Sequence, residues 1–311
     1  MKTLITSLLL LTRPYSSFAR TWESSSGSQV EADFVSATDT HVTIRRAADG
    51  KRFTMALNQL SQEDQEWVAN QAAGEPATGS ELPAEVAELI DSRGTLLFED
   101  DFNREDSAET DDLGPAWTTN SKSRAMGDKQ NDLVDGELVM TLSPRADHAI
   151  STVHDTTEPY ADAVVSLRMK LDEGDQLKLA YNDKQDKSVW AGHINGVTMN
   201  HTKLTLVDER ESVFKLTLRD KKETPEGKAA MDEALASASK SFDLDLDVGE
   251  WIEVVTVHTG ETLTVYLDGD EVGTHTSPGF GHETKRQFVF AVPKHAVVDD
   301  LKIWKLAAET P

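Results

Sequence analysis

Six polar or aromatic side chains have the types and surroundings that suit a ligand-binding site. They are Asp183, Lys184, Trp190, His193, His282 and Lys285. The two histidines lie in turn-like contexts, Trp-Ala-Gly-His and Gly-His-Glu-Thr-Lys, and the tryptophan follows a polar stretch that favours an exposed ring. Such groups hydrogen-bond polar ligands, and His and Lys serve as acids or bases when their pKa values are shifted. In the alternative interpretation they only cap loops.

No pair of carboxylates stands out as catalytic. Glycosidases need two carboxyl groups that face one pocket, and no predicted strand carries Glu-x-Asp-x-x-Glu or Glu-x-Asp-x-Glu. Asp243, Asp245 and Asp247 alternate with apolar residues, which places them on one face of a strand. A solvated acidic face is the favoured interpretation, and a catalytic or cation-binding ladder is the alternative.

Composition excludes several kinds of chemistry. The 311 residues contain no cysteine, so disulfides, thiolate metal sites and a cysteine nucleophile are excluded. The formal net charge of −24 predicts repulsion from nucleic acid and from anionic lipid surfaces. The absence of a His-x-His or His-Glu-x-x-His motif argues against a zinc site.

The N-terminus has the features of a signal peptide over residues 1–19. Lys2 is followed by an apolar run from Leu4 to Leu11, and Ser17-Phe18-Ala19 offers small residues for cleavage. The run is too short to span a bilayer and no other segment is long enough. We therefore expect an exported protein, periplasmic or extracellular, without a transmembrane anchor.

Residues 20–69 are predicted to form a small β-rich domain, followed by a linker over 70–93. The predicted strands are Val30–Val35, His41–Arg45 and Phe53–Leu57. A short helix begins after Ser61, a good N-cap residue, with Asp64 at the capping-box position. Within the linker, the stretch from Pro83 to Ile90 suits one or two helical turns.

Residues 94–306 are predicted to form an antiparallel β-sandwich. The predicted strands are Thr95–Phe98, Glu137–Leu142, Val164–Leu171, Leu177–Tyr181, Lys203–Val207, Trp251–His258, Thr262–Leu267, Glu271–His275, Phe288–Val292 and Val298–Leu306. Asp135-Gly136 and Asp268-Gly269 are turn dipeptides between strands. Many short strands with regular turns favour a sandwich. The stretch from Asp220 to Lys240 predicts a helical insertion, with Thr224 and Pro225 at its start and Met231 and Leu235 facing inward.

The first domain resembles the SLA1 homology domain 1 (SHD1), an SH3-like module. The resemblance rests on Arg20-Thr21-Trp22, Val30–Val35, Val42–Arg45, Asp49-Gly50-Lys51 and Leu57–Asp64. It implies a protein-interaction module, with peptide, cytoskeletal-protein or ubiquitin partners in the eukaryotic members. The combination with an export signal is similar to exported, planctomycete-like bacterial proteins that begin Arg-Thr-Trp.

The second domain resembles concanavalin A-like jelly rolls, in particular laminin-G-like domains of the 3-keto-disaccharide hydrolase (DUF1080) type. The resemblance rests on Leu97–Arg104, Leu113–Trp117, Val134–Leu138, Tyr181–Lys184 with Ala191–His193, Gly249–Trp251, Tyr266–Gly269, Gly281–Lys285 and Val298–Trp304. It implies a lectin-like fold in which the six residues named first line the concave sheet.

The resemblance also suggests a structural calcium. Asp100 and Asp101 begin the domain, Asp299 and Asp300 precede its last strand, and the first and last strands of such folds are neighbours. Their carboxylates would share a hard cation with backbone carbonyls. In the alternative interpretation they are only charges at strand ends. No cofactor is expected to be required.

The leading hypothesis is a secreted two-module binding protein, with the second domain binding carbohydrate or a cell-surface protein. The rival is a glycoside hydrolase of the 3-keto-disaccharide type, acting on O-glycosyl bonds. A third hypothesis is an SHD1-type protein binder or a purely structural surface protein. Without a catalytic carboxylate pair, a binding protein is favoured over an enzyme.

Overall fold

The structure is a computed structural model that describes residues 20–37, 41–46, 48, 52–74, 82–105, 107 and 109–308. The signal peptide predicted for residues 1–19 lies outside this part of the chain. Two compact units are separated between Thr78 and Gly79. Within the described residues, no helix is long and apolar enough to cross a membrane.

The first unit is a four-stranded antiparallel sheet followed by a helix. Its strands, in the spatial order β1-β2-β3-β4, are β1 (Arg20–Glu23), β2 (Gln29–Ala37), β3 (His41–Arg46) and β4 (Arg52–Ala56). A 3₁₀ turn, Leu57–Gln59, leads into α1 (Gln62–Gly74). The three predicted strands are present, and β1 adds a fourth that is too short to show periodicity. The SH3-like identity of this unit stays a prediction.

An aromatic cluster forms the core of the first unit. Trp22, Phe34 and Trp67 pack with ring centroids 5.4 to 6.3 Å apart. The guanidinium of Arg20 lies 4.1 Å from the centroid of Trp67, a cation–π contact that places the charge beside the hydrophobic core.

Asp64 fastens α1 to β1. Its buried carboxylate accepts hydrogen bonds from Arg20 (2.6 Å), from the backbone N–H of Glu23 (2.6 Å) and from the hydroxyl of Ser61 (3.2 Å). The Ser61 N-cap is confirmed, because its Oγ accepts the N–H of Asp64 at 3.1 Å. The capping box is not completed, since the N–H of Ser61 donates to the carbonyl of Glu23 instead.

The second unit contains fifteen strands among the described residues. They are β5 (Gly94–Asp100), β6 (Trp117–Thr119), β7 (Asn131–Val134), β8 (Glu137–Thr141), β9 (Ile150–Tyr160), β10 (Ala163–Lys170), β11 (Leu177–Asn182), β12 (His193–Asn200), β13 (Lys203–Asp208), β14 (Ser239–Asp243), β15 (Trp251–Thr259), β16 (Thr262–Leu267), β17 (Asp270–Thr276), β18 (Lys285–Val292) and β19 (His295–Leu306). Each of the ten strands predicted for this domain is present, and β6, β7, β9 and β12 were not predicted. The strand expected to carry Asp243, Asp245 and Asp247 overlaps β14 only at its first residues.

These strands form two antiparallel sheets packed face to face. The first sheet has the order β17-β16-β15-β10-β19-β8-β7, with β5 also paired to β19, and the second has the order β14-β13-β12-β11-β18-β9-β6. One apolar core lies between them. The predicted class is confirmed: the chain is mainly β, and its large unit is an antiparallel jelly-roll sandwich with a helical insertion.

Local sequence explains the hairpins and the inward faces. Asp135-Gly136 and Asp268-Gly269 both take positive φ at each residue, as the predicted two-residue turns require. Along β11 the apolar Leu177, Leu179 and Tyr181 enter the core, so the residues between them point outward.

Four α-helices accompany the strands among the described residues of the second unit. They are α2 (Ala84–Arg93), the short α3 (Ser121–Arg124), α4 (Leu216–Arg219) and α5 (Pro225–Ala238). The predicted linker region contains α2, whose Val86 packs on Val164, Val255 and Val257 of the first sheet. The insertion is confirmed, with the Thr224 hydroxyl accepting the N–H of Gly227 at 3.0 Å.

The contacts of Asp64 predict a stability effect in the first unit. Asp64→Ala should lower its free energy of unfolding by about 3 kcal/mol, because Arg20 loses its buried partner. Hydrogen exchange of residues 20–68 in the full chain measures this. Glu63→Gln, an exposed change on the same helix, is the control. Equal protection in both variants would contradict the role given to Asp64.

Candidate functional site

Asp183 joins the loop after β11 to the segment before β18. Its buried carboxylate accepts hydrogen bonds from His282 (3.2 Å), Thr284 (2.7 Å) and Arg286 (2.6 Å). Burial alone would raise the pKa of Asp183, but the hydrogen bonds and the nearby guanidinium outweigh it and the pKa is lowered. Two predicted site residues, Asp183 and His282, are therefore brought together, in an internal network.

Lys285 is fully buried at the start of β18. Its Nζ donates to the carbonyls of Ala161 (2.5 Å) and His282 (3.1 Å). Burial lowers the pKa of its ammonium to about 7, and the charge of Asp162 only partly opposes this. Lys285 is thus part of the interior, whereas Lys184 is exposed on the loop after Asp183.

His193 belongs to a different cluster from Asp183. Its Nδ1 lies 3.6 Å from Oε2 of Glu209, and its ring stacks on Phe214 with centroids 4.0 Å apart. Lys178 donates to the other oxygen of Glu209 at 2.5 Å. Burial would raise the pKa of Glu209, but His193 and Lys178 outweigh it and the pKa is lowered. Because Nδ1 of His193 is buried, Nε2 is the only ring nitrogen that can meet a ligand.

Trp190 is 52% exposed, as its polar sequence surroundings predicted. The guanidinium of Arg219 in α4 lies 4.7 Å from the Trp190 ring centroid and 5.4 Å from that of Phe214. The 3₁₀ turn Trp190–Gly192 contacts the end of β11 through Gly192. A Cβ at Gly192 would lie 2.6 Å from the carbonyl oxygen of Asp183, and its φ is +82°, so only glycine fits this position.

Polar side chains cross the outer face of the second sheet in register. The outer polar row consists of Asp155, Gln287, Asn182 and His193, on the neighbouring strands β9, β18, β11 and β12. Asn182 and Gln287 are largely buried, and Asn182 Oδ1 and Gln287 Oε1 accept no hydrogen bond from the described residues. Sequence reasoning found only His193, although the apolar alternation of β11 already places Asn182 outside the core.

A strip of small or apolar residues lies beside the outer polar row. Ala180 pairs with Gly196 on one side and with Val289 on the other, and Val289 pairs with Val153. A Cβ at Gly196 would lie 2.6 Å from Cε of Lys178, whose side chain crosses this position on its way to Glu209. The face therefore combines hydrogen-bonding groups with small and apolar residues, of which Ala180 and Val289 are buried.

Three of the four acids predicted to hold calcium, Asp100, Asp299 and Asp300, lie beside guanidinium groups. Asp100 accepts hydrogen bonds from Arg104 (2.5 and 3.1 Å) and from the indole of Trp117 (2.7 Å). Arg168 lies 3.6 Å from Asp299 and 3.5 Å from Asp300. Burial and the charge of the neighbouring Asp300 raise the pKa of Asp299 to about 7.

The strands β5 and β19 are neighbours, as expected, with Asp100 opposite Leu301. Asp101 caps the loop that follows by accepting the N–H of Asn103 at 3.0 Å. Asp100, Asp101 and Asp300 line an open depression of about 430 Å³. Calcium binding there stays a prediction.

The remaining acidic candidates show no convergence. Asp243, Asp245 and Asp247 are exposed, while Phe242, Leu244 and Leu246 pack against the core, as the favoured interpretation predicted. The strand itself ends at Asp243.

Comparison with known proteins places the chain only at the level of fold. No protein-family model and no curated protein matches it. Solved structures with a similar fold include an endo-β-1,3-glucanase from Pyrococcus furiosus (12% identity, 71% of this chain and 98% of that chain, TM-score 0.44). A laminarinase catalytic domain from Thermotoga maritima (12%, 69% and 99%, 0.44) and a laminarinase from Rhodothermus marinus (8%, 69% and 98%, 0.47) are also similar. At these sequence identities and TM-scores, the similarity does not assign a role to any residue of this chain.

The burial of Lys285 predicts a rise in stability with pH. Between pH 7 and about 10.5 the unfolded chain binds the lysine proton and the folded chain does not, so the free energy of unfolding increases with pH. One proton gives at most about 1.4 kcal/mol per pH unit. Urea unfolding of the second unit at pH 7, 8 and 9 should show this slope, and Lys285→Met should remove it. The exposed Lys184→Met is the control, and an unchanged slope in Lys285→Met would contradict the assignment.

Proposed function

We propose that the second unit is a non-catalytic carbohydrate-binding domain whose ligand lies on the outer polar row. The observation that carries the proposal is the pair of carboxamides, Asn182 and Gln287, whose buried acceptors have no donor among the described residues. An unsatisfied buried acceptor costs about 1–3 kcal/mol. Sugar hydroxyls donate and accept, and the broad terminal torsion of either amide lets its oxygen turn toward such a donor.

The accessible side chains near the outer polar row suit contact with a sugar. Ala180 and Val289 are only 2% and 5% exposed, so Val153, Asp155 and His193 are the accessible residues of this face. Beyond His193 the exposed Trp190 supplies a stacking platform, held by Arg219.

Carboxylate spacing favours binding over hydrolysis. Asp155 on β9 and Glu209, just after β13, are separated by four strand spacings, about 19 Å at the backbone. Glycosidases place their two carboxyl groups about 5–9.5 Å apart. Glu209 is in addition neutralised by Lys178. The hydrolase hypothesis is therefore the weaker candidate.

The first unit is proposed to be a protein-interaction module, and the whole chain an exported protein. Phe53, 37% exposed with the Arg46 guanidinium 4.6 Å from its ring centroid, gives this unit an exposed aromatic position on β4. Cell fractionation would test export.

Binding of the full chain to immobilised neutral and acidic polysaccharides tests the carbohydrate proposal. Trp190→Ala should weaken binding about tenfold, the equivalent of about 1.4 kcal/mol of lost stacking. His193→Ala should weaken it as well, because Nε2 loses its contact.

Two matched controls accompany this experiment. Val248 is as exposed as Trp190, and His148 is an exposed histidine, so Val248→Ala and His148→Ala should bind as the wild type does. Reducing-end release from the same polysaccharides should stay at background. Failure to bind any glycan would overturn the proposal, and release abolished by His193→Ala would favour the hydrolase.

A further inference from the structure

Three potential metal ligands meet at one end of the first sheet, on elements that the binding face does not use. Asp172 and Asp175 lie in the turn between β10 and β11, and His295 is the first residue of β19. Lys170 pairs with Val297 in the antiparallel ladder, so continuing the register by two residues places His295 opposite Asp172. His295 is more than a hundred residues from the two aspartates in sequence, which is why the motif search did not find this group.

The three side chains converge on a small volume. Nδ1 of His295 lies 3.1 Å from Oδ2 of Asp175 and 3.9 Å from Oδ2 of Asp172. One donor atom from each residue lies within 4.8 Å of the others, and this is the single group of three such ligands within the described residues.

The site is built on a fixed turn. The N–H of Asp175 donates to the carbonyl of Asp172 (3.0 Å), and the N–H of Asp172 donates back to Oδ2 of Asp175 (3.2 Å). Gly174 between them takes φ +78°. Asp175 is 6% exposed, and its Oδ1 accepts no hydrogen bond from the described residues. The carboxylate of Asp175 thus keeps one oxygen without a donor among the described residues, while its other oxygen lies beside Nδ1 of His295.

We propose that Asp172, Asp175 and His295 bind one divalent transition-metal ion of the zinc type. Zinc bonds of about 2.0–2.1 Å in a tetrahedron put neighbouring donor atoms about 3.3 Å apart, and the observed 3.1 and 3.9 Å lie on either side of this value. Three protein ligands leave the fourth position to water. Calcium instead takes six to eight oxygens at about 2.3–2.6 Å, a shell that one imidazole and two carboxylates do not provide.

The rival interpretation is an ion pair between a protonated His295 and the two aspartates. Lys294 adds a positive charge nearby, because its Nζ donates to the carbonyl of Gly174 at 3.3 Å. The two interpretations differ in their response to added metal. A bound ion links the turn after β10 to the start of β19 and stabilises the fold by mass action, whereas an ion pair gains nothing from zinc.

Calorimetric titration of the untagged, EDTA-stripped full chain with zinc chloride decides between them. We expect one ion per chain and, at a hundredfold excess over Kd, an increase in Tm of about 5 °C or more. His295→Ala and Asp175→Asn should each weaken zinc binding by at least about tenfold. Asp175→Asn keeps an acceptor for the N–H of Asp172, so its fold, checked by circular dichroism, should be retained.

Parallel titrations define the ion. Calcium and magnesium should bind at least about tenfold more weakly than zinc, and His148→Ala should leave zinc binding unchanged. The proposal is overturned if zinc neither binds nor raises Tm, if calcium binds more tightly, or if neither His295→Ala nor Asp175→Asn changes zinc binding. Calcium binding that survives both variants would instead favour the acids around Asp100.

Discussion

The packing of two sheets on one core fixes which side of each strand faces that core. On β11, Leu177, Leu179 and Tyr181 point into the core. The alternating residues, Lys178, Ala180 and Asn182, therefore lie on the outer face. The same rule acts on β18 and β9, so Gln287 and Asp155 join Asn182 at the same level. The outer polar row is therefore a consequence of core packing combined with register.

Buried ionisable side chains mainly hold the loops against the two sheets. Asp183 is saturated by His282, Thr284 and Arg286, and Lys285 donates to backbone carbonyls. Removing one partner of such a group leaves a buried charge uncompensated, which costs more than the pair itself contributes. The contacts of Asp183 therefore position the loop before Trp190.

The strand pattern was predictable to the extent that inward positions are apolar. β10, β15 and β16 were predicted because their residues alternate in polarity or are continuously apolar. β12 was not predicted, because Asn195 faces the core and Gly196 faces outward, which breaks its periodicity. Asn195 is tolerated in the core because its amide oxygen lies 3.1 Å from Nε2 of His258, within hydrogen-bond distance. Asp183 and His282 lie together, but in an internal hydrogen-bond network, and no local pattern shows that a side chain such as Lys285 is buried.

Contacts between distant segments explain why the rest of the site escaped sequence reasoning. Glu209 lies beside His193 only because β12 pairs with β13. Arg219 lies beside Trp190 because Lys215 forms an isolated β-bridge with Val189. Acids predicted to bind calcium likewise lie beside arginines that are not their neighbours in a sequence motif. Arg104 reaches Asp100 through the loop after β5, and Arg168 reaches Asp299 through the β10–β19 ladder.

The residues next to His193 also limit what this face can do. The sheet positions next to His193, one strand spacing away or one level along, are held by Asn182, Ala180 and Gly196. Carboxamide, methyl and hydrogen supply no acid or nucleophile, and the side chain of Lys178 fills the space above the glycine. If the face binds a sugar as proposed, these positions offer it a carboxamide and no second carboxylate, which is the arrangement expected for binding without hydrolysis.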